Sequence, residues 1–123
     1  MVLVDSSVWI DHLHRSSPSL IALLNNADVL VHPMVIGEIA MGSLKDRNRV
    51  LRDLRKLPTA QLARDTEVWS FIEAKSLHGL GIGYIDAHLL ASARLTLNTT
   101  LWTRDKRLDS ISGVLGLRYP QLP

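Results

Sequence analysis

The chain has 123 residues, of which 46% are hydrophobic and 21% are charged, and its formal net charge is +2. This composition is typical of a folded globular protein, and the length predicts a single domain over residues 1–123. The absence of cysteine excludes disulfides, thiolate zinc sites and a cysteine nucleophile. No apolar run is long enough to span a membrane and no signal peptide is evident, so we expect a soluble, cytoplasmic protein.

Short apolar segments alternate with helical segments along the chain. Residues 2–5 predict a buried strand, and Ser6 or Ser7 is expected to cap a helix over residues 7–14. Pro18 opens a second predicted helix, which the asparagine pair at 25–26 ends. Further strands are predicted at 28–32 and 99–103, with an edge strand at 114–118. The remaining predicted helices cover residues 33–44, 47–57, 65–78, 84–95 and 105–111.

This alternation predicts a parallel sheet with helices on both of its faces. Strands that are apolar throughout are typical of sheets covered on both sides. In such sheets, ligands bind outside the carboxyl ends of the strands. Asp5 stands at the end of the first predicted strand, and Asp105 lies just past the third. We therefore expect a functional site at this edge of the sheet.

Glu38 is the only ionisable residue in the predicted helix over residues 33–44. Its helical neighbours three and four positions away are apolar or glycine, and a helix that is apolar all round is normally buried. An unpaired buried carboxylate is costly, which favours a functional role for Glu38. The alternative is a surface glutamate on the edge of the helix.

Two further acids occupy the starts of predicted helices. Asp86 lies in a first turn, where it could simply complement the helix dipole. Asp105 could cap the last helix, and Asp109, one turn later, could replace it as a fourth acid. Four carboxylates meeting at one edge would repel one another unless a divalent cation neutralised them. Oxygen ligands of this kind select Mg²⁺ or Mn²⁺.

Four segments in this order resemble the PIN-domain family, and specifically the VapC-type toxins of bacterial toxin–antitoxin pairs. They are "VDSSVWID", "HPMVIGEIAMG", "GYIDAHLLASA" and "LWTRDKRL". The resemblance covers essentially the whole length and implies a three-layer α/β/α sandwich around a mainly parallel sheet. One departure is Val35, where many relatives carry a hydroxyl residue.

The resemblance also implies an activity and a set of site residues. Family members are Mg²⁺- or Mn²⁺-dependent ribonucleases in which a metal-bound water attacks the RNA phosphodiester. It implies that the catalytic acids are Asp5, Glu38, Asp86 and Asp105. Of these, Asp5, Asp86 and Asp105 would hold the metal, with hydroxyl support from Ser6 and Thr103. Glu38 would orient or deprotonate the water.

The implied partners are RNA, a cognate antitoxin protein and a second copy of the chain in a homodimer. The segments 7–14 and 65–78 carry more apolar residues than a small domain can turn inward. We therefore expect part of them to form an exposed apolar patch, which is the usual mark of an interface. An arginine of the antitoxin could enter the acidic site, since guanidinium pairs bidentately with carboxylates.

Two other classes of protein share some of these features. A receiver-like domain also has an acidic Mg²⁺ pocket, but it would require adjacent acids after the first strand, where Asp5 is followed by Ser6. A phosphatase with an Asp-x-Asp nucleophile is disfavoured because position 7 is Ser7. A non-catalytic interaction domain, whose acids bind a partner's arginines, remains the main alternative to an enzyme.

Overall fold

The computed structural model describes residues 1–120, and its centre is a parallel sheet of three short strands. The strands are β1 (Val2–Val4), β2 (Val29–Leu30) and β3 (Thr100–Trp102), in the spatial order β2-β1-β3. Val2 of the central strand lies opposite both Val29 and Thr100. Asp5 is the residue after β1, and the parallel register brings the carboxyl ends of the strands together around it.

Helices make up most of the rest of the described chain. They are α1 (Ser6–His14), α2 (Pro18–Asn25), α3 (Pro33–Ala40), α4 (Arg47–Arg55), α5 (Asp65–Lys75), α6 (Tyr84–Leu95) and α7 (Lys106–Val114). Helix α1 packs on α3 and α3 on α4, whereas α5 packs on α6. Nearly every strand residue is buried, which requires helices on both faces of the sheet. The predicted three-layer α/β/α fold is confirmed.

Three local predictions differ from the structure. Helix α1 begins one residue earlier than expected, so Asp5 occupies the cap position and neither serine caps the helix. Helix α3 ends at Ala40, where the Arg47 guanidinium donates to the last carbonyl oxygen through Nη2 at 2.8 Å. Gly42 follows two residues after Ala40, and glycine is a poor helix former, so the expected extension to residue 44 is wrong.

The edges of the sheet also differ from the expectation. Val114 belongs to α7, and only an isolated bridge between Leu101 and Arg118 represents the expected edge strand at 114–118. On the opposite edge, Val31 pairs with Thr59, a bridge that the sequence did not predict. Within residues 1–120, no helix is both long and apolar enough to cross a membrane.

Candidate active site

Asp5 lies at the carboxyl end of the central strand and is only 5% exposed. Its Oδ2 atom accepts hydrogen bonds from the hydroxyls of Ser7 and Thr103, both at 2.7 Å. The parallel register of β1 and β3 brings Thr103 beside Asp5, and the Asp5 N–H donates to the Trp102 carbonyl at 2.9 Å. The two hydroxyl donors fix the orientation of this buried carboxylate.

Glu38 lies on the exposed side of α3, which corrects the expectation that this helix is buried all round. Val35, by contrast, points into the core and is fully buried. The Ser6 hydroxyl donates to Glu38 Oε1 at 3.1 Å and thereby joins α3 to α1. Loss of water around the carboxyl raises the pKa of Glu38, as do the charges of Asp5 and Asp86, whereas the Ser6 hydrogen bond opposes the rise. The contacts of Glu38, not burial of its helix, place it in the site.

Asp86 lies half-buried in the first turn of α6. Its Oδ2 atom accepts a hydrogen bond from the Gly83 N–H at 3.1 Å, so the side chain also caps its own helix. Burial raises the pKa of Asp86, with smaller contributions in the same direction from the charges of Asp5 and Asp105. The Gly83 hydrogen bond partly offsets this rise. The charges of Asp5 and Asp105 therefore reach Asp86.

The structure separates the two candidates for the fourth acid. Asp105 caps α7, since its Oδ1 atom accepts from the Leu108 N–H at 2.9 Å, and its charge acts on Asp86. Asp109 instead forms an ion pair with Arg118, whose Nε atom lies 3.3 Å from Asp109 Oδ2. The geometry therefore groups Asp105, rather than Asp109, with the other acids.

The start of α6 is fixed to the start of α5 by a polar cluster that the sequence did not reveal. Asp65 Oδ1 accepts the Tyr84 hydroxyl at 2.7 Å and lies 3.1 Å from Nε2 of the buried His88. The hydroxyl of Tyr84 lowers the pKa of Asp65, and His88 acts in the same direction. Because Tyr84 and His88 flank Asp86 on α6, the cluster holds that acid in place.

Two residues of the site were not among those predicted. Ser7 donates to Asp5 and accepts a hydrogen bond from the Arg104 N–H at 3.0 Å, which ties α1 to the end of β3. The resemblance implied a supporting role for Ser6 alone, although Ser7 is also a hydroxyl residue close to Asp5 in sequence. Arg104 gave no sequence signal beyond its charge.

The site supplies oxygen ligands of the kind that hard divalent cations bind. Among residues 1–120, however, no three acidic or histidine side chains are close enough together to hold a metal ion as they stand. Like charges repel, and Asp86 and Asp105 each accept a hydrogen bond from the backbone of their own helix end. The donor chemistry of these carboxylates nevertheless fits a divalent cation.

Known proteins resemble this chain over nearly its full length. A protein-family model described as "PIN domain" matches residues 2–114. Proteins named "Ribonuclease VapC32" from two strains of Mycobacterium tuberculosis, CDC 1551 / Oshkosh and ATCC 25618 / H37Rv, are each 41% identical to it over 117 residues. The match covers 95% of this chain and 94% of each relative. The chain therefore belongs to the PIN-domain family, as a VapC-type member.

Proposed function

We propose that the chain is the toxin of a toxin–antitoxin pair and acts in the cytoplasm as an Mg²⁺- or Mn²⁺-dependent endoribonuclease. The observation that carries the proposal is the set of four carboxylates at the carboxyl edge of the sheet, where neighbouring charges act on Glu38 and Asp86: Asp5, Glu38, Asp86 and Asp105. The ribonuclease name of the two relatives supports RNA as the substrate.

Asp5, Asp86 and Asp105 are the residues that would hold the cation. When bound, it would lower the pKa of a coordinated water and polarise the scissile phosphate. Ser7 and Thr103 keep Asp5 oriented through the two hydrogen bonds at 2.7 Å. The hydroxyl donors therefore fix one carboxylate before a cation or substrate arrives, which lowers the cost of organising the site.

Glu38 is suited to take a proton from the attacking water. Its Oε1 atom accepts from Ser6, which leaves Oε2 available. Its raised pKa shifts the carboxyl toward the working pH, where a general base is most effective. Glu38 is also exposed, so substrate can approach it from solvent.

The central experiment measures cleavage of a mixed RNA pool with Mg²⁺, with Mn²⁺ and with EDTA. We expect cleavage with either metal, none in EDTA, and none by Asp86→Asn, while Glu73→Gln, an exposed acid on α5, cleaves normally. Full activity in EDTA would exclude the mechanism. Intact RNA under all conditions would favour a non-catalytic interaction domain.

Thermal unfolding gives a second measurement that does not depend on activity. A ligand that binds only the folded state adds about 2.7 kcal/mol at one hundred times its Kd. Mg²⁺ should therefore raise the Tm of the native protein, and the rise should be reduced in Asp86→Asn but retained in Glu73→Gln. An equal rise in all three proteins would place the cation elsewhere.

A groove of about 250 Å³ between α1, α2 and α4 of this chain is a suitable binding site for the antitoxin partner. Most of its lining is apolar, which suits the apolar face of a helix. The apolar lining residues are Trp9, Leu13, Leu24, Val50, Leu54 and Leu57. We expect a small protein encoded beside this gene to inhibit cleavage, and replacement of one of its arginines by alanine to weaken that inhibition.

The expected exposed patch is present in part. Trp9 and Val68 are buried, whereas Ile10 and Leu13 on α1 and Trp69 on α5 are exposed. We assign the exposed Trp69, which is 56% accessible, to a homodimer contact. Light scattering should show a dimer for the native chain and a larger monomer fraction for Trp69→Ala.

A further inference from the structure

A second cleft, of about 510 Å³, lies between the end of α1 and the start of α2, and we refer to it as the α1–α2 cleft. All but one of the residues that line it have polar or charged side chains, in contrast to the antitoxin groove. The lining includes Asp11, His14, Arg15, Ser16, Ser19 and Arg104. Two guanidinium groups and one carboxylate face this space, so its net charge is positive. This composition suits an anion rather than an apolar ligand.

Arg104 connects the α1–α2 cleft to the acidic site. Its backbone N–H donates to the Ser7 hydroxyl, which in turn donates to Asp5. Its side chain reaches the cleft, where Nε lies 2.8 Å from Asp11 Oδ2, and its Cζ atom lies 5.8 Å from the centre of the Trp102 ring. These contacts hold the guanidinium in place, and one carboxylate cannot engage all five of its N–H groups. The remaining donors are available to a ligand.

Arg15 carries a positive charge that no acidic residue of the cleft neutralises. It directly follows α1 and is exposed, and within residues 1–120 it forms no ion pair with an acid. Its backbone N–H donates to the Asp11 carbonyl at 2.8 Å, which anchors its position. A fixed backbone with a free guanidinium is the arrangement from which arginine binds phosphate.

We propose that the α1–α2 cleft binds a phosphate of the RNA backbone at some distance from the scissile one, through Arg15 and Arg104. This inference rests on the proposed ribonuclease function. Guanidinium groups pair bidentately with phosphate oxygens, and Arg15 lies about 15 Å from Asp5 along the axis of α1. An RNA strand that leaves the acidic site past the end of β3 passes Arg104 first and then reaches Arg15. The cleft therefore aligns the strand and does not touch the reacting atoms.

Binding of a single-stranded RNA oligonucleotide tests the proposal. Fluorescence anisotropy in EDTA, which prevents cleavage, would compare the native protein with Arg15→Ala over a range of KCl concentrations. We expect Arg15→Ala to bind about tenfold more weakly at low salt. The slope of log affinity against log salt should fall in magnitude by about 0.7, the value for one lost phosphate contact on a single strand. The loss should be similar for oligonucleotides of different sequence.

Arg94→Ala is the matched control. Arg94 is also an exposed arginine, but it lies near the end of α6, about 12 Å along the helix axis from Asp86. Its replacement should leave both affinity and slope unchanged. An unchanged slope in Arg15→Ala, or equal losses in the two variants, would overturn the proposal. Since both side chains are exposed, thermal unfolding should show that both variants fold.

Cleavage with Mg²⁺ separates failure of this inference from failure of the proposed function. If the native protein cleaves RNA and Arg15→Ala keeps the native slope, only the phosphate site is wrong. If the native protein neither binds nor cleaves RNA, both proposals fail. If Arg15→Ala binds RNA normally but loses affinity for an acidic peptide of the antitoxin, the cleft belongs to a protein partner and the inference is overturned.

Discussion

The site contains two kinds of carboxylate, which differ in how the fold holds them. Asp5 follows a strand, is almost fully buried and accepts two hydroxyl hydrogen bonds at 2.7 Å. Glu38 and Asp86 extend from helices, and loss of water together with neighbouring negative charge raises the pKa of both. The strand therefore provides a carboxylate whose orientation is already fixed by hydroxyl donors, whereas the helices provide carboxylates whose charge still lacks compensation. A cation that binds here would meet one carboxylate that is already oriented and would neutralise the uncompensated negative charge of the others.

The largest effect should come from the strand carboxylate. Asp5→Asn keeps the shape of the side chain but removes its charge, and the amide oxygen can still accept both hydroxyl hydrogen bonds, so the change isolates the charge. We expect the rate of RNA cleavage to fall at least about a hundredfold, since metal-assisted charge stabilisation supplies several kcal/mol. Steady-state cleavage with Mg²⁺ measures it, with Glu73→Gln as the control. Turnover within a few-fold of the native rate would refute the assignment of Asp5.

A smaller loss of cleavage activity should follow when only a hydroxyl that supports that carboxylate is removed. Thr103→Val preserves size but deletes the hydroxyl that donates to Asp5 Oδ2. Groups that orient metal ligands are typically worth about 10- to 100-fold in metal affinity or activity, and we expect a loss in that range. The matched control is Thr99→Val, because Thr99 is also buried but its hydroxyl donates to the Leu97 carbonyl. Equal losses in the two variants would mean that Thr103 serves stability alone.

The smallest effect concerns the helix carboxylates and the pH dependence of stability. Because the pKa of Glu38 is raised from 4.5, the folded state binds more protons than the unfolded state just above that pH. The free energy of unfolding should therefore fall as pH rises through this window, and part of that fall should disappear in Glu38→Gln. We expect less than about 1 kcal/mol, because Glu38 is exposed and solvent screens its charge.

Urea unfolding in EDTA across acidic and neutral pH would measure this difference. Near neutral pH the metal-free Glu38→Gln protein should be slightly more stable than the native protein, and the two should converge at acidic pH. Glu73→Gln should follow the native curve. A Glu38→Gln protein that is less stable than the native one near neutral pH would show that the Ser6 hydrogen bond outweighs the repulsion.

The sequence predicted the three strands of the sheet because each is a short apolar run, as is typical of strands buried on both faces. It also predicted Asp5 at the end of β1, since parallel strands collect functional groups there. The roles of Ser6 and Ser7 were harder to predict from the sequence, because they depend on where α1 begins. A shift of one residue moves the cap to Asp5 and sends the two hydroxyls to different partners, Glu38 and Asp5.

The exposure of Glu38 could not be predicted from its own helix. The apolar neighbours of Glu38 in sequence suggested burial on all sides, but α3 packs against α1 and α4 and leaves its remaining face open. The polar cluster at Asp65 could not be predicted from the sequence for a similar reason. Its members lie on two helices, and how those helices pack is a tertiary property. Residue patterns indicate the periodicity of an element, whereas its neighbours decide which face meets solvent.

The pairing of β1 with β3 also affects the order in which the protein becomes active. The hydrogen bond between Thr103 and Asp5 joins residues 98 positions apart, so Asp5 cannot acquire this donor until most of the described chain has been synthesised. Ribosomes add about 5–20 residues per second, which makes the delay on the order of ten seconds. Closing such a long loop is also a slow step in folding. The proposed RNA-cleaving site therefore remains incomplete for most of the time that the growing chain is attached to the ribosome and its own mRNA.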